Sequence, residues 1–332
     1  MTPVDPLNSP PPQISAVVPI YNEEQSLPQL HARLTKVFSK LGLSYELVFV
    51  NDGSADRTLE IIKELVARDP HLRAISLSRN FGHQTALTAG LDHARGEMVA
   101  MMDADLQDPP ELLPRMIAKM NEGFDVVYAV RTERAGESAF KRATAALFYR
   151  LLRFCTAINI PLDTGDFRLI NRRALDSVLS IRERNRFLRG LFTWVGFRQT
   201  GVPYKRPARF AGETKYPLRK MLRFAVDGMT SFSTVPLQFA ILAGFGAAAL
   251  GFLYGIKVLV NWMDGSTVPG WSSTIMLILF FGGVQLICTG ILGEYVGRIF
   301  EEVKARPLYF VRERIGFDGE ASDGQSIRKA PQ

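Results

Sequence analysis

The chain has 332 residues, 47% of them hydrophobic and 22% charged, which excludes a disordered or collagen-like polymer and leaves room for about two domains. A mean hydropathy of +0.04 excludes a protein lying mostly inside a bilayer, but not a soluble body with a membrane tail. The net charge of +7 suits nucleic acid, anionic lipid or a phosphorylated substrate, and the two cysteines, Cys155 and Cys288, are too far apart for a CxxC pair or a disulfide framework.

Residues 1–12 are rich in proline and polar residues and read as a flexible tail, without the basic and apolar regions of a signal peptide. Residues 13–215 read as one soluble domain in which short apolar runs alternate with amphipathic stretches. Strands are expected at 14–20, 45–50, 72–77, 97–102 and 125–130. Between them, Leu27, Leu30, Leu34, Val37 and Leu41 recur at helical spacing, Asp56 is placed to cap a helix bearing Leu59, Ile62, Leu65 and Val66, and residues 84–94 form a further helix. Another helix starts near Pro110, where proline suits the first turn. This alternation predicts an α/β fold with a mostly parallel sheet, whose ligands bind beyond the carboxyl ends of the strands.

Three of those ends are acidic: Tyr21-Asn22-Glu23-Glu24, Asn51-Asp52-Gly53-Ser54, and Asp103-Ala104-Asp105-Leu106-Gln107-Asp108. So much negative charge on one rim repels itself unless a cation or hydrogen-bond donors sit there. Asp103 and Asp105 alternate with Ala104, so in extended backbone both point to one face and can grip one Mg²⁺ or Mn²⁺ ion. Glu23 and Asp52 are better placed to accept hydrogen bonds from a base or ribose, whereas Asn51, Asp56 and Asp108 suit plain capping roles. No GxGxxG follows the first strand and no GxxxxGK[ST] occurs, which disfavours a dinucleotide dehydrogenase or a P-loop ATPase. His31, His71, His83 and His93 lack metal-ligand spacing, and His83 reads as structural.

Residues 216–233 interleave basic side chains with Leu218, Met221, Leu222, Phe224 and Met229, the pattern of an amphipathic helix lying in a membrane interface. Two apolar runs follow, 236–260 and 273–293, each meeting the requirement of about 20 residues for a transmembrane helix. Trp262 and Trp271 stand where interfacial aromatics belong, and the two helices are assigned to 234–298. Lys215, Arg219, Lys220 and Arg223 precede the first run and Arg298, Lys304, Arg306, Arg312 and Arg314 follow the second, while the loop between has only Asp264. The positive-inside rule therefore places the soluble domain, both termini and a C-terminal tail, 299–332, in the cytoplasm. The basic surplus lies mainly at the membrane face, so nucleic acid is not needed to explain it.

Val18-Pro19-Ile20-Tyr21-Asn22-Glu23, Asn51-Asp52-Gly53-Ser54 and Asp103-Ala104-Asp105-Leu106-Gln107-Asp108-Pro109-Pro110-Glu111, taken with the two spans, resemble the family 2 glycosyltransferases. Within that family the chain resembles the polyprenyl-phosphate branch of bactoprenol glucosyltransferases and dolichol-phosphate mannose synthases, over residues 14–315 or so. The resemblance implies a Rossmann-like GT-A domain followed by the interfacial helix and the transmembrane hairpin. It implies a nucleotide-sugar donor lying against Pro19, Tyr21, Glu23, Asp52, Asp103 and Ala104, and Mg²⁺ or Mn²⁺ held by Asp103, Asp105 and Gln107. It implies a polyprenyl phosphate acceptor, for which the basic candidates are Arg131, Arg134, Lys141, Arg142, Arg168, Arg206, Arg209 and Lys215. Asp163-Thr164-Gly165-Asp166-Phe167-Arg168 resembles a second carboxylate motif in which Asp166 acts as a base or orients the acceptor; Asp166, Asp105 and Arg131 are thus the expected catalytic set. Gly212-Glu213-Thr214-Lys215-Tyr216 resembles a loop that closes over both substrates.

The expected reaction is inverting transfer of one hexose, glucose from UDP-glucose, to undecaprenyl phosphate at the inner membrane, for cell-envelope glycan modification, by a homo-oligomer. GDP-mannose, another UDP-sugar, or a non-catalytic membrane adaptor are the competing expectations. Processive relatives carry a Gln/Arg-x-x-Arg-Trp pattern, whereas this chain has Arg186-Phe187-Leu188-Arg189-Gly190 and two spans, which argues for one sugar per lipid.

Overall fold

The apolar runs pair into a single sheet in a computed structural model, which describes residues 10–132, 164–205, 233–265 and 270–317. The expected interfacial helix, apart from Ser233, and the basic residues Arg134, Lys141, Arg142, Arg206, Arg209 and Lys215 lie outside the described residues.

In chain order the strands are β1 (Ile14–Ile20), β2 (Tyr45–Asn51), β3 (Leu72–Leu77), β4 (Met98–Met101), β5 (Val126–Arg131), β6 (Thr164–Asn171), β7 (Gln199–Tyr204) and β8 (Val311–Ile315), arranged β7-β5-β6-β4-β1-β2-β3-β8. Strands β1 to β4 are parallel, while β6 runs antiparallel between β4 and β5. Helices α1 (Leu27–Leu41), α2 (Thr58–Arg68) and α4 (Leu113–Asn121) cover one face; α3 (His83–His93), α5 (Arg172–Ser180) and α6 (Leu188–Trp194) cover the other. β1 is therefore buried on both sides, with Ile14, Ala16, Val18 and Ile20 in one core and Val17 in the other. Gly90 lets α3 approach β1 closely, because a Cβ there would strike the Val17 side chain.

Asp56 does help to start α2: its Oδ1 accepts the Thr58 N–H at 3.1 Å, although Arg57 is the residue at the cap position. The segment after β4 is not extended. It bends at Ala104, Asp105 and Leu106, so the alternation argument for Asp103 and Asp105 does not apply, and Leu106 adopts a left-handed φ of 62°. Such a conformation costs a β-carbon-bearing residue about 1–3 kcal/mol and persists only where the surroundings enforce it.

Helices α7 (Val235–Met263) and α8 (Trp271–Val303) form an antiparallel hairpin, each long and apolar enough to cross a membrane. At 1.5 Å per residue they measure about 44 and 50 Å, each more than the ~30 Å hydrocarbon thickness of a bilayer. Phe281 packs over Gly251, where a Cβ would lie 3.2 Å away, and the Tyr295 hydroxyl donates to the Ser233 carbonyl at 2.7 Å.

Within the stretch assigned to a C-terminal tail, residues 301–315 return to the sheet domain. The Arg184 N–H donates to Glu302 at 2.6 Å, the Arg184 guanidinium pairs with Glu301 at 3.1 Å, and the Tyr309 hydroxyl donates to Asp92 at 2.9 Å. β8 then pairs antiparallel with the edge strand β3, which would otherwise leave its hydrogen bonds unmade.

Candidate active site

The register of β4 and β6 builds the site. Their pairs run from Met98 with Asn171 to Met101 with Arg168, so two further residues bring Asp103 beside Asp166. His83, the first residue of α3, enters from the neighbouring loop. Its Nε2 lies 3.2 Å from Asp166 Oδ2 and 3.4 Å from Asp103 Oδ1, and one ligand atom from each of the three residues falls within 4.8 Å of the others.

Asp166 is buried and gripped by a two-pronged guanidinium: Arg189 Nε donates to Oδ1 at 2.7 Å and Nη2 to Oδ2 at 3.0 Å. Gln84 Nε2 adds a bond to Oδ2 at 3.2 Å. Burial alone would raise the Asp166 pKa, but Arg189 and His83 hold it well below the usual carboxylate range. Burial alone would lower His83; its hydrogen bond to Asp166 and the charges of Asp103 and Asp166 push it up to about 9. Asp103 is raised by burial and by the neighbouring Asp166 and Asp105, with His83 opposing.

The donor set fits a divalent ion. Two carboxylates and an imidazole converge, and among the described residues the buried Asp103 Oδ1 has no hydrogen-bond partner. Asp105 adjoins this group through its charge, while its Oδ1 accepts the Gln107 N–H at 3.1 Å and Gln107 is half-buried. The geometry thus gathers His83, Asp103 and Asp166, where the sequence pointed to Asp103, Asp105 and Gln107.

The remaining candidates take distinct places. Tyr21, just after β1, is 49% exposed, while Pro19 and Ala104 are buried. Glu23 accepts the Ser26 hydroxyl at 2.5 Å. Both oxygens of Asp52 bind backbone, accepting from Phe81 at 2.7 Å and Gly82 at 2.9 Å, so Asp52 shapes the 79–82 loop that leads into His83. Gly53 is needed there: a Cβ would come within 2.6 Å of the Arg79 backbone. Asn51 is not a helix cap: it accepts the Ser54 N–H at 3.1 Å and donates to the Ser76 hydroxyl at 3.0 Å.

Arg131, at the end of β5, passes its Nη2 over Gly165, where a Cβ would lie 2.7 Å away, so it sits beside the strand segment bearing Asp166. Arg168 is a correction. Its position on β6 buries it completely, 5.5 Å over the Phe192 ring, and among the described residues its guanidinium makes no hydrogen bond. A fully enclosed side chain does not present itself to a lipid phosphate. Burial lowers its pKa to about 10, opposed by Asp166 nearby, so it stays charged at neutral pH. Asp108 is no cap either: Pro109 precedes the 3₁₀ turn, and Asp108 is wholly buried, pushed up to about 7 by burial and by Asp103.

From the sequence His83 reads as structural, in a segment that resembles a family loop near the donor, and Arg189 has no role. Arg189 was visible only as the arginine of Arg186-Phe187-Leu188-Arg189-Gly190, and His83 only as the residue ending Arg79-Asn80-Phe81-Gly82-His83. Neither signal says which carboxylate the residue meets.

The family model for "Glycosyl transferase family 2" matches residues 15–179, from β1 into α5, a span that holds the rim carboxylates and His83. The uncharacterized glycosyltransferase YkcC of Bacillus subtilis is 52% identical over 307 residues, covering 92% of this chain and 95% of that one. The bactoprenol glucosyl transferase of Shigella phage SfX is 42% identical over 303 residues, covering 91% and 99%. A prophage bactoprenol glucosyl transferase homolog of Escherichia coli is 40% identical over 301 residues, covering 90% and 98%. With relatives this similar along nearly its whole length and an α/β sheet whose acidic rim carries the matched motifs, the chain belongs to the family 2 glycosyltransferases.

Proposed function

We propose that the protein transfers one glucose from UDP-glucose to undecaprenyl phosphate, inverting the anomeric centre and releasing UDP, on the cytoplasmic face of a bacterial inner membrane. The observation that supports this most is similarity of 40–42% to two proteins named for bactoprenol glucosyl transfer, over nine-tenths of the chain and through both apolar helices.

The nucleotide lies along the rim, near Tyr21 and the loop held by Asp52. His83, Asp103 and Asp166, with Asp105 adjoining, would hold Mg²⁺ or Mn²⁺. Such an ion, when bound, neutralises charge on the departing pyrophosphate. Arg131 gathers the acceptor phosphate, with Arg134, Lys141, Arg206, Arg209 and Lys215 as further candidates. A phosphate monoester is already anionic near neutral pH, so it needs little help to become a nucleophile. Asp166, with both oxygens bound by Arg189, orients the reacting groups rather than taking a proton. The protein's main task is to bring two anions together, and cations fixed in place beforehand lower that barrier. The protein works as a homo-oligomer.

The test uses full-length protein in detergent with Mn²⁺, labelled UDP-glucose and a short polyprenyl phosphate. Label should become extractable into organic solvent. Transfer with GDP-mannose alone would replace glucose by mannose in this reading, and no transfer from any nucleotide sugar would leave a membrane adaptor.

A further inference from the structure

Asp108 is wholly buried, has no place in the cation group, and connects two parts of the site. Its Oδ2 accepts the backbone N–H of Asp103 at 3.3 Å. Its Oδ1 accepts the Tyr204 hydroxyl at 3.0 Å. The same hydroxyl lies 3.5 Å from Arg131 Nε, at the far end of the adjacent parallel strand pair β5 and β7, where Arg131 is in register with Tyr204. The Thr132 N–H and hydroxyl both bond the Tyr204 carbonyl, at 3.1 Å each, so the backbone around Arg131 is fastened to Tyr204 as well. One carboxylate and one phenol thus join the turn that carries Asp103 to the guanidinium that lies over Gly165. The turn has a reason to need such a clamp, because Leu106 within it is held at a positive φ.

We propose that Asp108 and Tyr204 are positioning residues that lock the Asp103 turn to Arg131, and so set the spacing between the cation end of the donor site and the acceptor phosphate. This rests on the function proposed above for the identity of the two anions. Neither residue touches a reacting atom. Asp108 acts on both halves, through Asp103 on one side and Tyr204 on the other. Tyr204 acts on the Arg131 half alone.

That asymmetry gives the test. Full-length protein in detergent is compared with Tyr204→Phe and Asp108→Asn, reading Mn²⁺ affinity by electron paramagnetic resonance and binding of a short prenyl phosphate by calorimetry, alongside transfer kinetics. Tyr204→Phe retains the ring that packs edge-on to Phe167, 6.5 Å between centroids, so it tests the hydroxyl rather than the core. It should weaken prenyl phosphate binding and raise the acceptor KM by about tenfold, the worth of one hydrogen bond, with Mn²⁺ affinity unchanged. Asp108→Asn should weaken both Mn²⁺ and prenyl phosphate by about tenfold or more. Wild-type phosphate binding in Tyr204→Phe overturns the proposal, and so does an equal loss of metal and phosphate binding in both variants, the mark of general loosening. Binding of both probes without any sugar transfer in the wild type refutes the proposed reaction, yet the two variants still decide the positioning role from binding alone.

Discussion

At the rim of the sheet, Asp52, Asp108 and Asp166 are withdrawn from water, and each carboxylate is held by named donors. Along α7 and α8 the reverse holds: Leu242, Phe245 and Leu286 stand outward, each at least 70% exposed, with none of the described residues covering them. The two regions are built for different solvents. In the rim, desolvated charge is tolerable only with fixed partners, so its chemistry depends on geometry. In the hairpin, backbone bonds close within each helix and the side chains need only be apolar, so composition suffices. The regions meet where α8 leaves the apolar zone. There Glu301 and Glu302 engage Arg184, in the loop that leads directly to Leu188 and Arg189.

The comparison breaks most sharply at the cation group. Asp105→Asn should cut transfer by about a thousandfold or more while circular dichroism and membrane insertion stay as in the wild type, since charge is lost but no core volume. Wild-type turnover in that variant would contradict the acidic rim as the seat of catalysis. Arg189→Lys comes next: a lysine cannot supply the two-pronged grip on Asp166, and kcat should fall about tenfold to a hundredfold. Arg131→Ala should raise the acceptor KM by a similar factor and leave the donor KM nearly alone; a change confined to the donor would move Arg131 out of the acceptor site.

At the junction, Arg184→Ala should be milder, about 0.5–1 kcal/mol of stability, because the pair with Glu301 is partly exposed. A fall in the melting temperature of the soluble domain with the hairpin still inserted is the expected signature. The smallest effect belongs to Asp69, far from both regions. Burial pushes its carboxyl up, but the His71 N–H at 2.9 Å and the His31 ring at 2.7 Å outweigh this and hold it below its ordinary value. A carboxylate with a depressed folded pKa stabilises above its unfolded pKa and loses that contribution as pH falls through the folded one. Asp69→Asn should therefore melt earlier than the wild type at neutral pH, by about 0.5 kcal/mol, with the gap closing in acid.

Much of this was readable along the chain. β1, β2, β3 and β5 start and end within a residue of the expected runs, and both long apolar helices arise where the composition places them. These are local properties: a strand or a spanning helix is written in the period and length of its own apolar residues. Asp103 and Asp105 were found because they follow a strand, yet the extended backbone assumed for them is replaced by the turn at Leu106. Arg168 was misplaced because its neighbours in sequence say nothing of which face of β6 is enclosed. The segment at 311–315 has too few apolar residues to declare itself a strand, and becomes one because β3 offers an unpaired edge.

By itself, then, the sequence determined an acidic rim on a parallel α/β sheet and an apolar hairpin behind it, since both follow from patterns within single segments. Only the tertiary structure decided that Asp166 faces Asp103, that His83 and Arg189 complete the group, and that the chain after α8 comes back to the sheet. Those outcomes depend on the antiparallel register of β6 and on an open strand edge, and pairing between distant segments is set by which edges and faces remain unfilled once the local elements have formed.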